Sequence, residues 1–202
     1  TFSISFDLSL GNAYSLEQDI FIKMKDSENI NFTAKPKTNG FKNPLYYSLR
    51  LRERINNLDL EVELIHHKLY VTEYLPDAIE KFEISDGYNL LLMNYRKKIN
   101  RLIGYRVGFG AVIAHPYIII DGETNYTRGG GLIPKFWSDG YYWCGYSVQG
   151  SLFFERKIST KVYSNLEIKA AYSSATIPVE GGSFEMPNAS VHLLLGLGYK
   201  NY

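Results

Sequence analysis

Four histidines, His66, His67, His115 and His192, are the side chains of this sequence best suited to trade a proton near neutral pH. If the chain runs in strands of alternating direction, all four fall near one end of the molecule, and Asp86 falls there with them. His67, Asp86 and His115 then form a His/Asp/His group that could do general acid-base work on a lipid headgroup or hold a metal ion. The plainer reading is that these are interfacial histidines, hydrogen-bonded to loops. Other chemical motifs are silent. Gly129–Gly131 and Gly181–Gly182 have no following helix and no Lys-Ser or Lys-Thr, which removes a phosphate cradle. No G-x-S-x-G elbow occurs, and Cys144, the single cysteine, excludes an internal disulfide and a cysteine-based metal cage. No cofactor and no metal are expected, and a net charge of +1 points to no nucleic-acid partner.

The second constellation is ionic. In "LRLRERINNLDLEVEL", Leu49 to Leu64, leucine and charge alternate on both sides of Asn56-Asn57. A period of two marks a strand whose faces meet different surroundings, and two residues that tolerate positive φ suit a tight hairpin. With the Asn pair as the loop, Arg54 faces Asp59, Arg52 faces Glu61 and Arg50 faces Glu63. These cross-strand pairs, each worth roughly 0.2 to 1 kcal/mol, share one face. Leu49, Leu51, Ile55, Leu58, Leu60, Val62 and Leu64 share the other, broken only by Glu53. His67 has the parity of Glu61 and Glu63 and should point the same way. Alternation alone fits a soluble barrel with leucines inside as well as a membrane barrel with leucines on lipid.

The elements that carry these residues decide between the two. Eight runs of period two are legible: 2–25 (bent near Gly11-Asn12), 45–55, 58–70, 83–97, 102–115, 141–156, 162–173 and 190–199. Most reach the roughly 9 to 11 residues with which a tilted strand crosses a bilayer. Their connections alternate in length, long near 26–43, 71–82, 116–140 and 174–189, short at Asn56-Asn57, 98–101 and 157–160. Long external loops alternating with tight periplasmic turns are the layout of an outer-membrane barrel. Glycines collect on the polar faces, as a narrow interior requires, while Tyr46, Tyr47, Tyr70, Tyr141, Tyr142, Trp143, Tyr199 and Tyr202 stand near strand ends as interfacial girdles. Arg50, Arg52, Arg54, Asp59, Glu61 and Glu63 therefore line the lumen as a charge ladder that plugs it.

At "HHKLY", "ISDGYNLL", "YRVGFGAVIAHP", "GYSVQGSLFFERK" and "HLLLGLGYKNY" the chain resembles small outer-membrane barrel proteins, and among them the lipid A oxidase-like group. The resemblance runs from about His66 to the end. It implies an eight-stranded barrel in a Gram-negative outer membrane and admits lipid A modification, without assigning catalytic residues.

The expectation is an all-β chain: one domain, 1–202, folded as an eight-stranded antiparallel up-and-down transmembrane β-barrel in the cell outer membrane. Its function would be non-enzymatic, with external loops that bind a protein partner or anchor an envelope assembly. The alternative is a lipid A-modifying enzyme acting at the outer rim. Outer-membrane lipid is the surrounding partner in either case.

Overall fold

The computed structural model describes residues 4–55, 58–124 and 140–201. Asn56-Asn57, the glycines at 129–131, most of the loop 116–140 and Tyr202 lie outside the described residues. The strands are β1 (Ile4–Ser15), β2 (Gln18–Met24), β3 (Ile30–Ala34), β4 (Tyr47–Ile55), β5 (Leu58–His66), β6 (Leu69–Val71), β7 (Ile79–Ile84), β8 (Tyr88–Lys98), β9 (Ile103–Ala114), β10 (Tyr117–Ile120), β11 (Glu123–Thr124), β12 (Tyr142–Lys157), β13 (Val162–Val179), β14 (Gly182–Glu185) and β15 (Asn188–Lys200).

Eight of them, in the order β12-β9-β8-β5-β4-β1-β15-β13, pair antiparallel, and β12 pairs with β13 to close the ring. Closure leaves no sheet edge along the barrel. The β4–β5 register is Ile55↔Leu58, Arg54↔Asp59, Arg52↔Glu61, Arg50↔Glu63 and Leu49↔Leu64, which is the register a two-residue loop at 56–57 imposes.

Side chains alternate across this ring with inverted polarity. Outward-facing Leu51 is 56% exposed, Phe109 68% and Leu195 66%, whereas inward-facing Arg50 is 1% and Glu63 0%. On β15 the outward row is Val191, Leu193, Leu195, Leu197 and Tyr199. At about 3.3 Å per residue such a row crosses most of the ~25 Å apolar band of a membrane barrel. A surface this oily on every side is a liability in water and is solvated in hydrocarbon. Tyr14, Trp143, Tyr146 and Tyr172 ring one end of the band, and Phe154 and Tyr199 stand on the other. Tyr46 and Tyr70 depart from the expected girdle: both are buried.

The segment 2–25 is two strands, and the break falls at 16–17, not at Gly11. Gly11 lies within the ladder opposite Leu194, and an added Cβ there would come within 2.1 Å of the Leu193 carbonyl oxygen. Its role is close approach of strands, not a bend.

Within the described residues the long connections carry strands as well. β14, β2 and β3 extend the outer end of β13, while β11, β10, β7 and β6 form a separate sheet. Phe82 of β7 meets Phe32 of β3 at 6.0 Å and Phe184 of β14 at 5.1 Å, so the two sheets pack face to face. Ile20, Ile22, Ile79, Ile118, Ile177 and Phe184 are buried between them. This apolar core runs on into the barrel mouth through Ile65, Leu90, Leu92, Val112 and Leu194. The external strands missed by period-two reading are short, three to six residues in β6 and β7, too few to display a period.

Candidate functional site

The lumen is filled by an ion network that extends the β4–β5 ladder to other strands. Glu63 accepts hydrogen bonds from Ser48 Oγ (2.7 Å), Arg50 Nε (2.9 Å), Lys169 Nζ (2.6 Å) and Asn94 Nδ2 (2.7 Å). Glu61 accepts from Arg52 Nε at 2.9 Å and from Arg106 Nε at 2.6 Å, and Glu167 lies between Arg50 and Arg106. Asp7 takes Arg52 Nη2 at 3.0 Å, and Glu155 takes Arg96 Nη2 at 2.7 Å. The Phe153 ring lies between the Arg96 and Arg106 guanidinium groups, 4.4 and 4.2 Å from its centroid. Gly104 makes room for that ring: a Cβ there would fall 2.3 Å from Phe153 Cζ. Among the described buried residues of the lumen, Arg50, Arg52, Arg96, Arg106 and Lys169 stand against Asp7, Glu61, Glu63, Glu155 and Glu167, so the formal charges balance.

Arg54 departs from the expected ladder. Its side chain is 63% exposed and meets Asp59 at 3.3 Å at the turn end of the barrel, so this rung sits at the mouth and not inside. Arg106, Glu167, Lys169, Arg96 and Glu155 complete the network from β9, β13, β8 and β12. Their inward parity was readable in each strand, but their mutual contact depends on ring closure, which no single hairpin displays.

The three residues of the expected His/Asp/His group divide between two places. Asp86 and His115 meet at the outer rim, Oδ2 to Nδ1 3.5 Å, with the Tyr141 ring 4.9 Å from that of His115 and Tyr141 OH donating to the Asp86 carbonyl at 2.8 Å. His67 is fully buried elsewhere, with Nε2 3.0 Å from Thr38 Oγ1, Nδ1 3.4 Å from Asn188 Nδ2 and its ring 5.0 Å from that of His192. His192 in turn contacts Tyr46 OH at 2.6 Å and Ser190 Oγ at 2.8 Å. The separation has a simple cause: His67 keeps the inward parity of β5 and enters the core, whereas Asp86 and His115 belong to connections around the mouth. His67, His192, Asn188 and Gln18 thus form a buried polar belt between the ionic lumen and the apolar external core. Burial pushes the His67 imidazole well below its ordinary value of 6.5, and the neighbouring His192 adds to the shift. Partial burial lowers His115 as well, against the opposing pull of Asp86. Among the described residues no group of three or more His, Cys, Asp or Glu is placed to hold a metal ion.

Removing Glu61 leaves Arg52, Arg96 and Arg106 short of a carboxylate in a buried network. Glu61→Gln is expected to destabilise the barrel by about 3 to 5 kcal/mol, and Arg54→Gln, at an exposed pair, by about 1 kcal/mol or less, in urea unfolding from lipid vesicles. For His67 the folded value lies below 6.5, so the stability present above 6.5 is lost progressively as pH falls from there toward the folded value. Trypsin protection of the external strands is therefore expected to weaken between about pH 6.5 and pH 5, and His67→Gln to flatten that dependence.

No family model matches the chain, and no curated protein matches it. Among solved structures the chain is similar to Ail, the attachment invasion locus protein of Yersinia pestis, at 14% identity over 98% of this chain and 98% of that one, with a TM-score of 0.43. It is similar to Neisserial surface protein A at 10% identity over 98% and 96% of the two chains, TM-score 0.47. It is similar also to the outer membrane protein OprG from Pseudomonas aeruginosa at 11% identity over 100% and 95%, TM-score 0.44. On its own closed ring of eight strands, oily outside and ionic within, the chain is a transmembrane β-barrel of the outer-membrane type.

Proposed function

We propose that this barrel is a non-enzymatic component of the bacterial outer membrane whose external β layer binds a partner or anchors an envelope assembly. The observation that carries the reading is the double closure of the lumen: a balanced ion network below and a packed apolar core above, with Leu90, Leu92 and Leu194 buried at the junction. A barrel filled in this way does not conduct solutes, and its outer end becomes a pedestal. On that pedestal Phe41, in the connection from β3 to the barrel strand β4, is 74% exposed, and Tyr74, between β6 and β7, is 85% exposed. Exposed aromatics on an ordered frame suit a contact surface, because they bring large area at small entropic cost.

A second reading, a lipid A-modifying enzyme, draws on the Asp86–His115 contact at the rim, where a headgroup could reach it. It has lost His67 from its group.

Photo-crosslinking residues at positions 41 and 74 are expected to give the same discrete adduct on intact cells, and one at lipid-facing position 195 to give none of it. The purified barrel is expected to show no stable conductance in planar bilayers. Absence of a shared adduct, or a steady open channel, would overturn the reading. For the enzyme alternative, the lipid A mass spectrum of cells is expected to be the same with the native protein, with His115→Ala and without the protein; a species that disappears in both of the latter would establish it.

A further inference from the structure

The charge balance of the lumen breaks at the end of the barrel that carries the short turns. Around that mouth, positions of inward parity place Arg54 on β4, Arg96 and Lys98 on β8, Lys157 on β12 and Lys200 on β15. Arg54, Arg96, Lys98 and Lys200, with Tyr95 and Lys97, line a vestibule of about 600 Å³, in which Arg52 and Arg96 are the buried floor. A smaller recess of about 350 Å³ adjoins it and adds Arg101, Lys157 and Lys161. The carboxylates lining the vestibule are Asp59 and Glu155. Both are already engaged: Asp59 by Arg54 and Arg96, Glu155 by Arg96 and by Lys98 at 2.6 Å. The chain as a whole carries only +1, so this excess is a segregation of cations to one end and not a basic composition.

A concave cluster of cations walled by low-dielectric protein concentrates its field in the cavity. The guanidinium forks and ammonium groups there match oxyanions: Arg binds them in bidentate fashion, and Lys as a point charge. Several such groups around one opening favour a ligand that carries several oxyanions close together, because each further contact is then intramolecular. Of the cations that line it, Arg52, Arg54, Arg96, Lys98 and Lys200 have inward parity and Lys97 outward parity, whereas lipid headgroups lie outside the ring. Outward-facing cations at the same end, such as Arg156, are the ones placed for headgroups.

We infer that the turn-end vestibule is a binding site for a compact, soluble oligoanion bearing two or more phosphate-type groups, held by Arg54, Arg96, Lys98 and Lys200 at its wall and floor. It is independent of the external surface, at the opposite end of the barrel.

The test uses the full chain in neutral-detergent micelles, with tripolyphosphate as probe and orthophosphate as comparator, by titration calorimetry. Saturable one-to-one binding of tripolyphosphate is expected, at least about tenfold tighter than orthophosphate and weaker as salt rises past about 0.1 M. The double variant Lys98→Ala with Lys200→Ala is expected to lose about tenfold or more, while Lys23→Ala with Lys25→Ala, on the external hairpin, is expected to leave the affinity unchanged. Both variants are first checked for heat-modifiable gel migration, so that a lost fold is not read as a lost site. If the vestibule pair proves unfolded, Arg54→Gln, at an exposed rung, takes its place. Absence of saturable heat, an equal loss in the hairpin control, or full affinity in the vestibule variant would overturn the inference.

Discussion

The structure depends on one constraint: charges enclosed in a narrow barrel must find opposite charges, because burial strips them of most of their hydration. An isolated ion in such a medium costs several kcal/mol even after relaxation, and a pair recovers that cost only when geometry and hydrogen bonds are good. Five cations, Arg50, Arg52, Arg96, Arg106 and Lys169, meet five carboxylates, Asp7, Glu61, Glu63, Glu155 and Glu167. They come from β1, β4, β5, β8, β9, β12 and β13, so nearly every strand of the ring contributes. A network that only the closed ring can complete specifies the closed ring. Once the ionic side chains are committed inward, strand alternation sends Leu51, Val62, Phe109, Leu166 and Leu195 outward, and the oily exterior follows.

Three layers then stack along the barrel axis. The ionic plug lies toward the short turns, the belt of His67, His192, Asn188 and Gln18 lies above it, and the apolar core of the external sheets caps both. The belt makes the transition possible. Its side chains hydrogen-bond to one another and to Tyr46, Thr38 and Ser190, so a polar interior gives way to an apolar one without stranded charge. Buried histidines in this position serve the packing of the plug. Chemistry on an outside substrate would need the exposed Asp86–His115 pair instead.

Much of this was legible in the sequence. Alternation of leucine with charge around Asn56-Asn57 gave the β4–β5 register residue by residue. The Arg52–Glu61 and Arg50–Glu63 rungs fall inside, as reversed signs across the hairpin implied. What stayed hidden was whatever required distant strands to be placed side by side. Glu167 and Lys169 read as ordinary polar positions of β13 until ring closure brings them against Arg50 and Glu63. His67 looked like a companion of Asp86 and His115 because alternating strand direction brings all three to one end of the barrel. Facing inward or outward separates them. The external sheets escaped notice for a different reason: strands of a few residues in Pro- and Gly-bearing segments carry too short a pattern to distinguish from loop.

Inverted polarity is the claim on which the membrane location and every role discussed here rest. It is tested most directly by spin labels placed singly at positions 193, 194 and 195 of β15, in a Cys144→Ala background, in lipid vesicles. Positions 193 and 195 are predicted to be accessible to molecular oxygen and shielded from a water-soluble nickel complex, while 194 is shielded from both. A label at 195 that meets the nickel complex freely, or one sequestered from oxygen, would contradict the lipid-facing orientation.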